Sequence, residues 1–305
     1  MSCPHLARAI DRFLPALNAA GLEVDAPVVP QQLSEEELLE LLPGCVGIVA
    51  GDDPLTRRVI DAAPSLRVIC KWGVGLDSID LAYAAERGIP VINTPGAFDD
   101  EVADMAMAYV VMLARSLHLI DRSVRDGGWE RIPGRSLAGA TLGIVGLGGI
   151  GLALARRAVG FGMEVLFSEP DSARHPAGIE LGAKATDLRE LLRESDYVSL
   201  NCALTPETRH IIGADELAAM KPSAYLVNTS RGGLVDQQAL VEALRSGSIA
   251  GAALDVFETE PLPPDDPLRE FDGLVFGAHN GSNTVEAVAR VNEMAVANLI
   301  GALRP

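Results

Sequence analysis

The sequence predicts an α/β protein with two doubly wound parallel-sheet lobes. Short β-branched runs alternate with helical stretches, and this alternation begins twice along the chain. Strands that alternate with helices form βαβ units, whose strands lie parallel in one sheet. A length of 305 residues is enough for two separate cores.

The first predicted lobe begins with a helix rather than with a strand. Residues from about His5 to Ala20 have a helical pattern, and the strand-like runs CVGIVAG, LRVICKWG and IPVINTPG follow from Cys45 onward. A flavodoxin-like lobe normally opens with a strand inside its sheet, and without that strand backbone groups of the core would lack partners. Two alternatives stay open: the natural chain starts further upstream, or this lobe is rearranged.

A long helix and a second alternating series complete the pattern. The helix runs from about Glu101 to Arg125, and the irregular segment DGGWERIPGRS follows it. From Thr141 onward the strand-like runs are TLGIVGLG, MEVLFSEP, YVSLNC, AYLVNTS, IAGAALDVF and GLVFGAH. The last segment, NTVEAVARVNEMAVANLIGAL, has apolar residues three and four positions apart, which predicts a final helix.

Charge and composition argue against several classes of function. The formal net charge is −17, whereas proteins that bind nucleic acids or anionic membranes need a basic surface. No apolar run reaches the ~18 residues that span a bilayer, and the N-terminus lacks the pattern of a secretory signal. The four cysteines are scattered, without the spacing of metal ligands. We expect a cytoplasmic protein without a metal site, a nucleic-acid partner or a membrane partner.

A glycine-rich turn is the strongest local signal. Gly146, Gly148 and Gly151 form the pattern G-x-G-x-x-G directly after a predicted strand and at the start of a predicted helix. In this setting the first glycine permits the tight turn, the second lets a pyrophosphate approach the backbone, and the third lets helix and strand pack closely. The free N–H groups of the helix start attract the anion. The pattern therefore predicts dinucleotide binding.

An acidic residue supports that prediction and bears on the choice of cofactor. Glu169 ends the next predicted strand, where a ribose-binding carboxylate belongs. A carboxylate accepts hydrogen bonds from the ribose hydroxyls of NAD and repels the 2′-phosphate of NADP. NAD is therefore favoured over NADP, although the nearby Arg174 complicates this preference.

Three later residues lie at or beyond predicted strand ends. They are Arg231 in LVNTSRGGLVD, Glu260 in ALDVFETEPLP and His279 in LVFGAHNGSN. Taken singly, each is equally well explained as a surface arginine, a solvated glutamate and a loop histidine. Parallel sheets place their ligands at these strand ends, so the three side chains are expected on one face. Together they suit a 2-oxo or 2-hydroxy acid, because arginine grips a carboxylate and histidine can exchange a proton with the C2 oxygen.

The sequence resembles the D-isomer-specific 2-hydroxyacid dehydrogenases, close to the D-3-phosphoglycerate dehydrogenase and glyoxylate/hydroxypyruvate reductase branches. The resemblance covers nearly the whole chain. Its motifs, in order, are KWGVGLDSIDL, VINTPG, GGWER, TLGIVGLGGIG, LTPETRHII, MKPSAYLVNTSRGGLVD, GAALDVFETEPLP and the turn at His279.

The family resemblance implies both a domain organisation and a set of site residues. It implies a flavodoxin-like substrate domain over residues 1–94 plus 285–305 and a Rossmann NAD-binding domain over residues 95–284. Arg231 would bind substrate, Glu260 would pair with the histidine, and His279 would be the acid–base group. Val74 and Gly75 match the loop that holds the substrate carboxylate. The cofactor positions are Gly146, Gly148, Gly149, Ile150, Gly151, Glu169, Cys202, Thr229, Ser230 and Asp255.

The same resemblance implies an NAD-dependent oxidoreductase that transfers hydride between nicotinamide and C2 of a D-2-hydroxy acid or 2-oxo acid, acting as a homodimer. The substrate stays open between 3-phosphoglycerate and glyoxylate or hydroxypyruvate. Lys71, Arg131 and Arg135 would suit a phosphate or are simply solvated charges. Trp72 either narrows the pocket or packs. A competing hypothesis is a non-catalytic NAD(H)-sensing or scaffolding protein on the same fold.

Overall fold

Two compact units make up the chain. The computed structural model describes residues 1–29 and 31–304. Unit 1 comprises Met1–Ala97 together with the residues from Asn283 onward, and unit 2 comprises Phe98–Ser282. Unit 1 contains a three-stranded sheet and unit 2 a seven-stranded sheet, and every strand pair in both is parallel. The predicted α/β fold class is confirmed.

Unit 1 is organised around strands in the order β1-β2-β3. These strands are β1 (Gly47–Ala50), β2 (Val68–Lys71) and β3 (Val91–Ile92). Its helices up to residue 97 are α1 (Pro4–Arg8), α2 (Leu14–Ala19), α3 (Glu35–Leu41), α4 (Arg57–Ala62) and α5 (Leu81–Glu86). Ser34, Thr56 and Asp80 cap α3, α4 and α5 by accepting a backbone N–H with their side chains, which satisfies a donor that a helix start leaves unpaired.

The N-terminal region departs from the predicted single helix. A short 3₁₀ turn, Ile10–Arg12, separates α1 from α2. Pro15 stands in the first turn of α2, where its missing N–H is tolerated but a continuous helix is not. In the described part of the chain no strand precedes β1, which lies at the sheet edge. Ser2 donates its N–H to Val49 O at 3.0 Å along that edge.

A cavity of about 270 Å³ adjoins the same edge of β1. Gly47 and Ile48 line it on the strand side, and Leu17, Leu38 and Leu299 are among its apolar walls. The first residues of the chain therefore cover only part of this edge.

A buried polar cluster anchors the ends of β1 and β2. Asp53 is fully buried and accepts hydrogen bonds from Leu33 N (2.8 Å), Gly51 N (2.8 Å) and the Ser2 hydroxyl (2.7 Å). Lys71 is 2% exposed, and its Nζ donates to Gly51 O and to Asp52 Oδ1, the latter at 2.7 Å. The interpretation of Lys71 as a solvated charge is therefore wrong, because its ammonium is bound inside unit 1.

Trp72 packs within unit 1. Its ring stacks on His5 with centroids 4.9 Å apart, and its Nε1 donates to Asn292 Oδ1 at 2.7 Å. Of the two alternatives for this residue, the structure supports packing.

Unit 2 is a doubly wound sheet in the order β10-β9-β8-β7-β4-β5-β6. Its helices are α6 (Asp99–Arg115), α7 (Leu117–Arg125), α8 (Gly149–Gly160), α9 (His175–Glu180), α10 (Leu188–Glu194), α11 (Ala214–Ala219) and α12 (Gln237–Ser246). Its strands are β4 (Thr141–Val145), β5 (Glu164–Ser168), β6 (Lys184–Ala185), β7 (Tyr197–Leu200), β8 (Tyr225–Asn228), β9 (Gly251–Leu254) and β10 (Val275–Phe276). The strand order reverses between β4 and β7, and open α/β sheets bind ligands at such a switch point.

The predicted continuous helix from Glu101 to Arg125 is wrong. Ser116 has a left-handed backbone, with φ of 51°, and divides it into α6 and α7. A left-handed residue ends a helix, so the chain bends by 67° at this point. In the described residues no single helix is long and apolar enough to cross a membrane; only α6 and α7 taken together across the bend have that length and composition.

The final predicted helix is confirmed as α13 (Val285–Leu303), which packs on β1 and β2 of unit 1. It begins where the Thr284 side chain accepts the N–H of Ala287. Val291, Ala295 and Leu299 are buried on its sheet-facing side, at the spacing of four that a helix face requires.

Asp53→Ala is expected to lower the free energy of unfolding of unit 1 by about 2–6 kcal/mol, because two buried N–H groups lose their acceptor and each costs about 1–3 kcal/mol. Urea titration followed by fluorescence checks this, since Trp72 is the buried tryptophan and lies in unit 1. Asp11→Ala, which removes an exposed carboxylate from the same unit, is the control. Equal midpoints for both variants would contradict the anchoring role.

Candidate active site

The glycine-rich turn joins β4 to α8 at the switch point of the unit 2 sheet. Gly146 has φ of +93°, and a Cβ there would lie 2.8 Å from Cys202 N. A Cβ at Gly151 would lie 2.2 Å from Gly146 O, so helix and turn approach at a distance that admits only hydrogen. Gly148 directly precedes α8, and Gly149 and Ile150 form its first turn. The N-terminal N–H groups of this 12-residue helix are thus presented beside the turn.

Glu169 follows β5 and binds the glycine turn directly. Its Oε2 accepts the N–H of Leu147 at 2.8 Å, and its Oε1 accepts the N–H of Asp171 at 3.0 Å. His175 Nε2 contacts Glu169 O at 2.8 Å and holds the same loop from the other side. The carboxylate is therefore fixed next to the turn, as the sequence pattern predicts for a ribose contact.

Polar groups without protein partners lie at the ends of β7 and β8. Among the described residues, the side-chain amide of Asn201 and the hydroxyl of Thr229 are buried and make no hydrogen bond within the protein. The hydroxyl of the adjacent Ser230 donates to Leu200 O at 2.8 Å. Buried polar atoms normally have partners, so these two fit the amide, hydroxyl and phosphate groups of a bound dinucleotide. Sequence reasoning named Thr229 but missed Asn201, although its place at a strand end was a usable signal.

Cys202 stands beside Asn201 at the end of β7. Burial raises the pKa of its thiol to about 11. A thiol with such a pKa stays protonated near neutral pH, so Cys202 can line a pocket but is a poor nucleophile.

The loop that carries Arg231 packs against the loop that carries Glu260. A Cβ at Gly232 would lie 1.9 Å from the carbonyl carbon of Phe257, so the two backbones touch. Asn228 Nδ2 donates to Arg231 O at 2.8 Å, and Arg231 Nη1 donates to Ser230 O at 2.8 Å. This close approach of the two loops explains why glycine follows Arg231.

Glu260 and His279 form a hydrogen-bonded pair. Glu260 Oε2 lies 2.7 Å from His279 Nδ1, and Glu260 Oε1 accepts the N–H of Phe257 at 2.9 Å. Both side chains are largely buried, at 21% and 30% exposure. The backbone of His279 is left-handed, with φ of 53°, a strained conformation for a residue with a side chain. Strain of this kind is concentrated at functional sites.

Asp255 supports the turn that presents His279. Its carboxylate is 1% exposed and accepts the N–H of Gly281 at 2.8 Å and the hydroxyl of Tyr109 at 3.2 Å. Its carbonyl oxygen accepts the N–H of His279 at 2.7 Å. Burial and the charge of Asp255 together raise the pKa of Tyr109. The predicted contact of Asp255 with the cofactor stays a prediction.

The remaining predicted site residues, Val74 and Gly75, follow β2 in unit 1. Val74 O accepts the side-chain amide of Asn93 at 2.8 Å. The preceding Gly73 exchanges hydrogen bonds with Thr94, whose N–H donates to Gly73 O at 3.0 Å. This loop is thus held in a defined conformation, and its role toward a carboxylate stays a prediction.

Comparison with known proteins identifies relatives over most of the chain. It is 46% identical to a glyoxylate reductase of Korarchaeum cryptofilum over 274 residues, or 88% of this chain and 82% of that protein. It is 39% identical to a hydroxypyruvate reductase of Thermotoga maritima, covering 90% and 89% of the two chains. It is 42% identical to a D-3-phosphoglycerate dehydrogenase of Methanocaldococcus jannaschii, covering 87% of this chain but 51% of that protein.

A solved structure and a family model agree with these relatives. The D-lactate dehydrogenase of Aquifex aeolicus, solved with NAD and lactic acid, superposes with a TM-score of 0.82 at 30% identity and covers 94% of this chain and 91% of its own. The family model for the NAD-binding domain of D-isomer-specific 2-hydroxyacid dehydrogenases matches residues 107–281. The chain therefore belongs to the D-isomer-specific 2-hydroxyacid dehydrogenases and is an NAD-dependent enzyme of that family.

Proposed function

We propose that this chain reduces glyoxylate or hydroxypyruvate to the corresponding 2-hydroxy acid, with Arg231, Glu260 and His279 as its catalytic residues. The observation that carries this assignment is the Glu260–His279 pair, in which His279 has a strained backbone and the loop of Glu260 packs against the loop of Arg231. A fixed cation, a carboxylate and an imidazole are the groups that the chemistry at a 2-oxo acid requires.

Each of the three residues has a distinct task in this mechanism. Arg231 binds the substrate carboxylate with its forked N–H donors and polarises the C2 carbonyl. Glu260 accepts the Nδ1 proton of His279, which fixes the ring and favours its charged form. Nε2 of His279 then gives a proton to the C2 oxygen, or removes it in the reverse direction. Bound NADH supplies the hydride.

The glycine turn and Glu169 are the cofactor contacts in this proposal. Gly148, Gly149 and Ile150, at the start of α8, would offer backbone N–H groups to the pyrophosphate, and Glu169, held beside the turn, would accept from the adenosine ribose. Thr229, Ser230 and Cys202 follow β8 and β7 and would line the cofactor site there. The unpartnered hydroxyl of Thr229 and amide of Asn201 support this placement.

The names of the relatives and the positions of the basic residues support a small 2-oxo acid as substrate, rather than a phosphorylated one. Two of the relatives act on glyoxylate or hydroxypyruvate by name. Lys71, a candidate for phosphate binding, is bound to Gly51 and Asp52 inside unit 1, and Arg131 and Arg135 are exposed. Initial rates with glyoxylate, hydroxypyruvate, pyruvate and 3-phosphohydroxypyruvate, each with NADH and NADPH, test this choice. A preference for the phosphorylated substrate would overturn it.

The alternative of a non-catalytic NAD-sensing or scaffolding protein has no support from the comparisons. The relatives described above are enzymes by name. A protein that only binds the nucleotide has no use for a histidine–glutamate pair on a strained turn. Oxidation of NADH by a 2-oxo acid separates the two classes.

A homodimer is the oligomeric state we propose, formed through α7 and the segment after it. None of the residues of α7 is buried, although Leu117 and Val124 are apolar and 43% and 46% exposed. Trp129, in the irregular segment that follows, is 77% exposed. An exposed apolar surface of this kind marks an interaction site, and a second copy of the chain would cover it.

A cytoplasmic location is also part of the proposal. All four cysteines are free thiols, as expected in a reducing compartment.

Within residues 1–29 and 31–304, no group of three potential ligands is placed to hold a metal ion.

Asp99 adds a negative charge next to the proposed pyrophosphate site. A Cβ at Gly149 would lie 1.9 Å from Asp99 Oδ2, so the carboxylate rests on the start of α8. Burial, followed by the charges of Asp100 and Glu101, raises the pKa of the Asp99 carboxyl. Arg157 of α8 pairs with Asp100 at 3.1 Å rather than with Asp99. An ionised Asp99 would therefore oppose a bound pyrophosphate.

His279→Gln is expected to lower kcat by about 10²–10⁴-fold, the usual contribution of a general acid–base group. The Kd for NADH should change less than about twofold, because the histidine does not belong to the glycine turn. His210→Gln is a matched control, since His210 also has a left-handed backbone and also pairs with a glutamate, Glu258. Loss of turnover in both variants alike would mean that His279 has only a structural role.

Asp99→Asn is expected to tighten ADP-ribose binding about three- to tenfold at pH 8, because a like charge beside the pyrophosphate is removed. A raised pKa means that Asp99 takes up its proton at a higher pH than an ordinary aspartate. The affinity of the unsubstituted protein should therefore improve as the pH falls through that pKa, while the affinity of the variant stays constant. Calorimetric titration from pH 8 down to the lowest pH at which the protein stays folded gives this comparison, with Asp126→Asn as the charge-matched control. Parallel pH profiles would rule out the repulsion.

The double variant Val124→Asp with Trp129→Ser is expected to convert the dimer to a monomer at micromolar concentration, because a charge and a lost ring would disrupt the apolar contact. Light scattering coupled to gel filtration measures the mass. Ile179→Ser, which alters another exposed apolar side chain of unit 2, should leave the dimer intact. A monomeric unsubstituted protein would contradict the proposed state.

A further inference from the structure

Arg174 lies over the glycine turn. Its Nη1 would be 3.5 Å from a Cβ placed on Gly148. The Cβ direction of this second glycine is the direction from which a pyrophosphate approaches, which is why a side chain is not tolerated there. The guanidinium of Arg174 is therefore aimed at the same space as the proposed phosphate groups.

The loop that carries Arg174 is anchored to the turn itself. Glu169 joins the two through its bonds to Leu147 N and Asp171 N. Asp171 caps the 3₁₀ turn Ser172–Arg174 through Ala173 N at 3.1 Å, and its other oxygen lies 3.3 Å from Arg174 Nε. Asp171 thus engages the Nε of the guanidinium, while Nη1 reaches the glycine.

We infer that Arg174 is a further cofactor-binding residue, which clamps the pyrophosphate of the dinucleotide from the side opposite the start of α8. This inference rests on the proposed use of the glycine turn by NAD. A guanidinium forms forked, charge-assisted hydrogen bonds with phosphate oxygens, so it adds a directed contact to the backbone N–H groups. It also offsets the negative charge that Asp99 brings to Gly149.

The position of Arg174 favours the pyrophosphate over a 2′-phosphate. A 2′-phosphate would lie at the adenosine ribose, where Glu169 is held by the turn and would repel it. Nη1 lies instead above Gly148, the glycine of closest phosphate approach. Arg174 is therefore expected to strengthen NADH and NADPH binding by the same factor.

Calorimetric titration of Arg174→Gln, Arg174→Lys and the unsubstituted protein with NADH, NADPH and ADP-ribose tests the inference. Arg174→Gln should raise the Kd of all three ligands about tenfold, and Arg174→Lys should recover part of the loss because it keeps the charge but not the fork. The dependence of log Kd on log salt should become shallower in Arg174→Gln, since one phosphate contact is lost.

Arg193→Gln is the matched control, because Arg193 is exposed in the last turn of α10, at the end of that helix away from the strand ends that hold the site. Unchanged ADP-ribose affinity in Arg174→Gln overturns the inference, and so does a loss confined to NADPH, which would assign Arg174 to the 2′-phosphate. An equal loss in both the glutamine and lysine variants with a lowered melting temperature also overturns it, as a structural effect. Failure of the unsubstituted protein to bind NADH would instead refute the proposed cofactor site.

Discussion

The buried carboxylate of Asp255 is the constraint on which the arrangement of unit 2 depends. It receives the N–H of Gly281 and the hydroxyl of Tyr109, while its backbone carbonyl receives the N–H of His279. A buried charge without such partners would be strongly destabilising, so these groups must stay where they are. One residue at the end of β9 thereby connects α6 to the turn after β10. It also holds His279 in the left-handed conformation that aims its ring at Glu260.

Much of this arrangement could be predicted from the sequence because parallel sheets impose it. Each strand of unit 2 from β4 to β10, apart from β6, corresponds to a β-branched or apolar run, and the residues after those runs form the candidate site. The glycine turn could be recognised in the sequence because each of its glycines stands at a fixed position. A Cβ at Gly146 or Gly151 would clash with neighbouring backbone atoms. β6 was missed, since Lys184–Ala185 is an exposed two-residue edge strand without an apolar run.

Other features depend on contacts between distant residues and left no local pattern. The break at Ser116 separates two helices whose residues favour helical structure on both sides, so the sequence predicts a single helix. The burial of Lys71 follows from its bonds to Gly51 and Asp52, 20 and 19 residues away. Asp99 reaches Gly149, some 50 positions along the chain, only because α6 packs on α8. No periodicity within a short window encodes such approaches.

Two histidine–glutamate pairs in unit 2 show why a pairing alone does not identify an acid–base group. His210 and His279 both have left-handed backbones and both contact a glutamate. His210, however, uses Nε2, the nitrogen furthest from its backbone, to bind Glu258. Glu260 engages Nδ1 of His279 instead, which directs Nε2 away from the glutamate, as its proposed role toward the substrate requires. The nitrogen that is engaged, rather than the residue type, distinguishes a proton carrier from a loop contact.

The electrostatics of the glycine turn bear on how so acidic a chain can hold an anionic cofactor and on which of NAD and NADP it would favour. Gly149 has no side chain, and this absence lets the Asp99 carboxylate reach the start of α8. Glu169 accepts the N–H of Leu147, so two carboxylates, those of Asp99 and Glu169, adjoin the turn. Arg174 supplies one cation near Gly148. The helix N-terminus, equivalent to about half a positive charge, and that single guanidinium would offset only part of the two charges of a pyrophosphate. A further phosphate beside Glu169 would meet a carboxylate with no cation left to offset it, so this arrangement would favour NAD over NADP.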